Sequence, residues 1–322
     1  MFVAQILFSI FKLLLGILVF LLSVKVFSKS LKSEFSDKLK PLFLKVSKNR
    51  FSALGLGAGA TALMQSSTGT TVLTVGLVNA GLLSLFGASA IIMGANVGTT
   101  LTSLLVSLSS LKINYIFMAV CFVGVAIYLN AQKQKIKTIG SLLIGFGGIF
   151  IGLELMSLSF SGNNYLTDFF SSLFARVTFP LLLILLGAVF TAIIQSSSAS
   201  MAIYITMLAS GILPFSSAIF LLFGSEIGTC LTTLIASAKA NAAAKRAALV
   251  HLIFNLASAV IFTAIFWPLG NILIPLYTNL ISDPVWQLSV FQIFYNVITV
   301  AILIWLIRPL NWVVGKIVRE RA

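Results

Sequence analysis

Thr61-Ala-Leu-Met-Gln65-Ser66-Ser67-Thr68-Gly-Thr-Thr71 and Thr191-Ala-Ile-Ile-Gln195-Ser196-Ser197-Ser198-Ala-Ser200 are two copies of one polar stretch in an otherwise apolar chain. They lie 130 residues apart, and the same offset runs without a gap from Gly57 to Ser103. It matches Gly81 with Gly211, Gly94 with Gly224, and Gly98-Thr99 with Gly228-Thr229. Self-similarity at a fixed spacing marks an internal duplication.

Of the 322 residues, 59% are hydrophobic and 9% charged, against about a quarter charged in a soluble domain. Apolar runs of roughly twenty residues recur, whereas a transmembrane β-barrel alternates apolar and polar residues in strands of about ten. The chain reads as an all-α polytopic membrane protein with the lipid bilayer as its solvent. The net charge of +14 does not call for nucleic acid, because the basic residues fall between apolar runs, where Lys and Arg set membrane orientation. Cys121 and Cys230 lie in or beside apolar segments and are expected to be free thiols. The first apolar run lacks a basic n-region and an Ala-x-Ala site, so it reads as a retained helix and not a signal peptide.

Runs able to span occur at about 3–27, 85–109, 113–130, 138–158, 215–238, 247–267 and 288–307. Two others, 51–83 and 177–213, exceed thirty residues and are interrupted by the Gln-Ser-Ser stretches; as straight helices they would be about 50 Å long. Each reads as a re-entrant helical hairpin with the polar motif at its tip, a conformation tolerated at membrane depth where protein or water covers the backbone. With the hairpins returning to the side they left, the loops 28–50, 131–137, 239–246 and the tail 308–322 share one side and carry 17 Lys and Arg. The other side has Lys112 and Arg176. The positive-inside rule makes the first side cytoplasmic, with the N-terminus outside and the C-terminus inside a bacterial inner membrane.

Each repeat then holds three transmembrane helices and one hairpin, and an odd span number turns the second copy upside down. The expected organisation is repeat 1 over 1–130, inverted repeat 2 over 131–267, and an additional C-terminal helix with a tail over 268–322. Inverted repeats bring two such tips to the midplane, where transporters bind substrate. Further upstream, Leu15-Gly16 to Ser28 resembles Ile144-Gly145 to Ser157 at an offset of 129, setting Lys25 opposite Glu154. Residues 28–50 read either as an amphipathic segment near anionic lipid or as a solvated loop. The segment around Asn271-Ile-Leu-Ile-Pro275 is too short to span, and no soluble domain is expected after the last helix.

Polar residues grouped in hydrocarbon need partners. A ligand is the simplest partner; close helix packing through Ser and Thr is the alternative reading of a single copy, and two matched copies weigh further against it. Four clusters can converge: the two tips, Gly94-Ala-Asn96-Val-Gly98-Thr99-Thr100, and Gly224-Ser-Glu226-Ile-Gly228-Thr229-Cys230. The hairpins hold no Lys or Arg, so an anion there would be held by hydroxyls, backbone N–H groups and positive helix ends, with co-bound cations completing neutralisation. Carbonyls, Gln oxygens and hydroxyls suit a weakly held alkali ion such as Na⁺. Among intramembrane ionisable residues, Glu226 occupies the position of Asn96 and reads as a cation ligand, a proton acceptor or a hydrogen-bond partner. His251, one turn before Asn255, reads more plainly as a core histidine than as a relay.

At these residues the chain resembles the type II sodium-dependent phosphate cotransporters, specifically compact bacterial members. The resemblance rests on the repeated tips, Gly94-Ala-Asn96-Val-Gly98-Thr99-Thr100, and Lys245-Arg-Ala-Ala-Leu-Val-His251-Leu-Ile-Phe-Asn255. It implies inorganic phosphate at Gln65, Ser66, Ser67, Thr68, Gln195, Ser196, Ser197 and Ser198. Coupling Na⁺ is expected at Gln65, Asn96, Thr99, Thr100, Gln195, Glu226 and Thr229. Two departures stand out: Glu226 replaces the usual Asn of the second Gly-x-Asn-Ile-Gly motif, and the C-terminal cytoplasmic domain of many bacterial relatives is not expected here.

The function this implies is sodium-coupled phosphate symport by alternating access, without enzymatic chemistry. A phosphate exporter or a proton-coupled carrier using Glu226 is the alternative, with an anion channel behind it. A serine hydrolase built on Ser197 and His251 is disfavoured because the matched serine lacks a matched base: Cys121 stands opposite His251. A second copy of the chain is admitted as a homodimeric partner.

Overall fold

In a computed structural model that describes residues 2–46, 49–111, 114–160 and 164–319, every regular element is a helix. These are α1 (Phe2–Val46), α2 (Arg50–Met64), α3 (Ser67–Asn79), α4 (Leu85–Ser107), α5 (Asn114–Asn130), α6 (Gln134–Phe160) and α7 (Asn164–Arg176). They continue with α8 (Pro180–Ile194), α9 (Ser197–Ala209), α10 (Phe215–Ser237), α11 (Ala242–Leu280), α12 (Pro284–Leu303) and α13 (Ile307–Ile317), with short 3₁₀ turns after α4 and α12. Six segments among the described residues are long and apolar enough to cross a membrane: Ile6–Glu34, Leu85–Leu111, Gln134–Phe160, Phe215–Ser237, Ala242–Leu280 and Pro284–Ile317. The protein is a multi-pass helical membrane protein. The seventh expected span is α5, at 17 residues the shortest that a bilayer accommodates; Lys112 lies outside the described residues.

Two readings are corrected. Residues 28–46 are neither a loop nor a separate segment but the second half of α1, a single 45-residue helix that passes through Pro41. Lys, Leu and Ser sustain a helix once it is nucleated upstream. The stretch around Asn271–Pro275 is likewise the continuation of α11, 39 residues long with Pro268 and Pro275 inside it. Position 267, where the second repeat was expected to close, is therefore mid-helix.

The long polar-tipped segments break where the motifs stand. Gln65 (φ 47°) and Gln195 (φ 59°) occupy the left-handed region, the two non-glycine residues to do so among those described. The next residues, Ser66 and Ser196, are extended and start the following helices as N-caps, accepting from the N–H of Gly69 (3.0 Å) and Ala199 (3.3 Å). The chain folds back at each break. Thr61 Oγ1 donates to Thr70 Oγ1 at 2.9 Å, and Thr191 Oγ1 to Ser200 Oγ at 2.8 Å; nine residues of unbroken helix would put them about 13 Å apart.

Glycines set how these pieces pack. A Cβ on Gly94 would strike the Leu54 carbonyl, one on Gly57 the Ile91 carbonyl and one on Gly98 the Ala58 carbonyl, so α2 and α4 touch backbone to backbone. At the 130-residue offset, Gly224, Gly187 and Gly228 meet the Ile184, Leu221 and Ala188 carbonyls, joining α8 to α10 in the same way. The third close pair is α1 with α6: Gly16 faces Met156, Phe20 faces Gly152, Ser23 faces Gly148 and Phe27 faces Gly145. As one number rises the other falls, so α1 and α6 run antiparallel. Their contact also maps onto itself at the 129 offset, since Gly145 and Phe27 are the counterparts of Gly16 and Met156.

Candidate functional site

The two breaks open onto one cavity of about 530 Å³. It is lined by Gln65, Ser66, Ser67 and Thr68 from one and Gln195, Ser196, Ser197 and Ser198 from the other. The first turns of α3 and α9 therefore present their unpaired N–H groups and positive dipole ends to the same space. Within each tip the polar atoms divide their tasks. Ser66 and Ser196 are committed to capping, whereas the hydroxyls of Ser67, Thr68, Ser197 and Ser198 make no hydrogen bond among the described residues and line the cavity. The glutamines differ. Gln65 is buried, donating to the Ala62 carbonyl (2.7 Å) and accepting from Thr102 Oγ1 (2.9 Å), while Gln195 is exposed.

The remaining wall is α1, which supplies Leu21, Val24, Lys25, Ser28, Lys29 and Lys32. Ser28 Oγ donates to the Met64 carbonyl at 2.9 Å, tying α1 to the end of α2. These lysines change the charge accounting made from the sequence. The hairpins themselves carry no cation, but the cavity has three ammonium groups, and no carboxylate lines it among the described residues. Their sequence signal was the 25, 29, 32 spacing, which puts them on one helix face.

A profile of the Na+/Pi-cotransporter family matches residues 19–158 and 163–277. The chain belongs to that family. Among curated relatives, the Escherichia coli (strain K12) "Putative inorganic phosphate export protein YjbB" is 28% identical over 295 residues, covering 89% of this chain and 51% of that protein. The Bacillus subtilis (strain 168) "Uncharacterized protein YqeW" is 28% identical over 283 residues, covering 88% and 90%. The rat "Sodium-dependent phosphate transport protein 2A" is 34% identical over 112 residues, 32% of this chain and 17% of the relative. The chain spans about half the length of the curated export proteins it matches. No solved structure matches it.

In this member of the cotransporter family the residues assigned to a cation fall into two places. Gln65 and Gln195 line the shared cavity; Asn96, Thr99, Thr100, Glu226 and Thr229 are buried behind it on α4 and α10. Thr99, Thr100 and Thr229 hydroxyls bond back to Ala95, Val97 and Ser225 carbonyls of their own helices. Asn96 Nδ2 donates to Asn255 Oδ1 (2.7 Å), and Asn255 Nδ2 donates to the Glu226 carbonyl (3.0 Å). The Glu226 carboxylate accepts from Gln292 Nε2 (2.9 Å) and Asn296 Nδ2 (3.4 Å) of α12, so the C-terminal helix encloses this acid. The polar stripe Ser289, Gln292, Asn296, Thr299 is visible in the sequence but had no assigned role. His251 is buried with Nδ1 3.2 Å from Thr233 Oγ1, and its Nε2 has no partner among the described residues. Lys25 and Glu154 line different cavities. Glu154 belongs to one of about 360 Å³ with Asp283, Ser109, Ser157 and Thr206, reached at the far end of α9.

Proposed function

We propose that this chain is a secondary active carrier that couples inorganic phosphate to Na⁺ by alternating access. Phosphate is held between the two Gln-Ser-Ser tips by Ser67, Thr68, Ser197 and Ser198 hydroxyls and the N–H groups of α3 and α9. The carrying observation is that two stretches 130 residues apart, with matching left-handed glutamines and serine caps, line one cavity. Four free hydroxyls and two helix starts suit a tetrahedral oxyanion, which accepts from several donors at once. Family membership supports phosphate as the solute, and the relatives' names attach it to export in one case and sodium dependence in the other.

The two helix–break–helix units are re-entrant hairpins entering from opposite faces, and the repeats that carry them are inverted. Antiparallel packing of α1 on its counterpart α6 supports this, since equivalent helices of inverted repeats run in opposite directions. Sodium is co-substrate: Glu226 supplies the negative charge, with Asn96, Thr99, Thr100, Thr229 and the tip glutamines as neutral oxygen donors. The excess of Lys and Arg on one side supports a cytoplasmic C-terminus, and the direction of net flux follows whichever gradients the cell maintains.

Uptake of radiolabelled phosphate into proteoliposomes, with Na⁺ and H⁺ gradients imposed separately, tests the reading. A sodium gradient should drive accumulation. Ser67→Ala and Ser197→Ala should each cut phosphate affinity about tenfold or more, the cost of losing a hydrogen bond to a charged ligand. Flux indifferent to sodium, or parental flux in both variants, would overturn it.

A further inference from the structure

We propose that Lys32, supported by Lys25 and Lys29, is a built-in counter-cation that binds phosphate at the first tip. This rests on the carrier reading above and extends it to residues outside the Gln-Ser-Ser motifs. Gly69 stands in the first turn of α3. A Cβ built there would lie 2.7 Å from Lys32 Nζ and 2.8 Å from its Cε, so the ammonium is parked against the start of α3, beside the capping Ser66. A helix N-terminus is the positive end of the dipole. Placing a half-buried ammonium there is electrostatically unfavourable by itself, and an anion shared between the ammonium and the helix N–H groups turns the arrangement favourable.

The feature is confined to one copy of the duplication. The counterpart of Gly69 is Ala199, which carries the Cβ that at position 69 would lie 2.7 Å from the ammonium. At the α1–α6 offset, Lys25, Lys29 and Lys32 correspond to Glu154, Leu158 and Ser161. Helix packing, which both copies satisfy alike, therefore does not account for the lysines. One face of α1 brings all three into the cavity with both tips. A phosphate group carries about −1.5 to −2 charges near neutral pH, which three ammonium groups are enough to balance. The same chemistry would take a phosphate from a lipid headgroup, so the test has to separate the two sources.

The full chain, purified in detergent free of phospholipid, is treated with an amine-acetylating ester, and labelling of each lysine is followed by mass spectrometry. Inorganic phosphate should slow labelling of Lys32 most, and of Lys25 and Lys29 to a lesser degree. About a tenfold protection of Lys32 relative to Lys135 and Lys239 is expected, with chloride giving none. Lys32→Gln should raise the half-saturating phosphate concentration for transport about tenfold and Lys32→Arg should recover part of that loss. Gly69→Ala should imitate Lys32→Gln, because the flexible end of the lysine has to move while Ser66 Oγ, 3.0 Å from the new Cβ, gives by a few tenths of an ångström at most; Lys135→Gln leaves transport as in the parent.

Equal labelling of Lys32 with and without phosphate would overturn the inference, and so would protection by anionic vesicles but not by phosphate, which assigns the lysines to lipid. Protection by phosphate in a chain that moves none would uphold this site and refute the carrier reading; sodium-driven phosphate flux with unprotected lysines would do the reverse. Labelling of the parent protein decides the matter even if Lys32→Gln fails to fold.

Discussion

Replacing Gln65 separates backbone strain from side-chain bonding. Its left-handed conformation (φ 47°, ψ 40°) costs a residue with a Cβ about 1 kcal/mol relative to glycine. Its amide also holds two hydrogen bonds, to the Ala62 carbonyl and from Thr102, each contributing about 1 kcal/mol net. Gln65→Ala keeps the strain and loses both bonds, so it should destabilise by about 2 kcal/mol. Gln65→Gly loses the same bonds but relieves the strain, leaving a deficit of about 1 kcal/mol. The glycine variant should therefore unfold about 2 °C above the alanine variant when detergent-solubilised protein is melted at one scan rate. At Gln195, exposed and without the partners of Gln65, Ala should be milder than Gln65→Ala and Gly should match or exceed the parent. Equal melting of the Ala and Gly variants at either position would refute the assignment of strain to these glutamines.

Gly94→Val should abolish folding or transport, since the new side chain strikes the Leu54 carbonyl and pushes α2 off α4, an overpacking cost of about 1–3 kcal/mol or more; Gly224→Val should do the same against Ile184. Gly59→Ala meets nothing within 4 Å and should stabilise α2 by about 1 kcal/mol, read as a higher melting temperature. Glu226→Gln keeps an oxygen for Gln292 and Asn296 but removes the charge. Sodium half-saturation in proteoliposomes should rise about tenfold while phosphate half-saturation stays put, and unchanged sodium dependence would return Glu226 to a structural role.

The spans and the paired tips were legible because apolar runs and a gapless 130-residue offset are properties of the sequence alone. The polar stretches marked where the long helices break, but not the left-handed form the breaks take at Gln65 and Gln195. Neither Gly nor Pro stands there, and the left-handed turn is held by tertiary partners such as Thr102 and by the serine cap that follows. The extension of α1 was hidden for a related reason. Lysines between apolar runs read as loop, yet 25, 29 and 32 share a face that the fold turns toward the tips. Glu226 was legible as an anomaly, but its neighbours were not, because Gln292 and Asn296 come from a helix outside the duplication. The continuation of α11 was hidden too, because the run 247–267 and the stretch around Asn271–Pro275 read as separate segments where one helix passes through Pro268 and Pro275.

Glycine contacts divide the molecule into three welded staves: α1 and α5 on α6, α2 with α4, and α8 with α10. Interdigitated side chains can re-mesh one turn further along, but backbone pressed on backbone has no teeth to skip. On α6, a one-turn slip would put Ile149 or Met156 where Gly145 or Gly152 now sits. The joints between staves are of another kind, among them the single bond from Ser28 to the Met64 carbonyl and the contact of Thr71 on α3 with Thr233 on α10 at 3.2 Å. Such hydroxyl bonds can be exchanged for water or for one another at little cost. The cavity takes its walls from all three staves: lysines from the first, one tip following α2 and the other following α8. Any pivot at a joint must therefore reshape the space between the tips while each stave keeps its form.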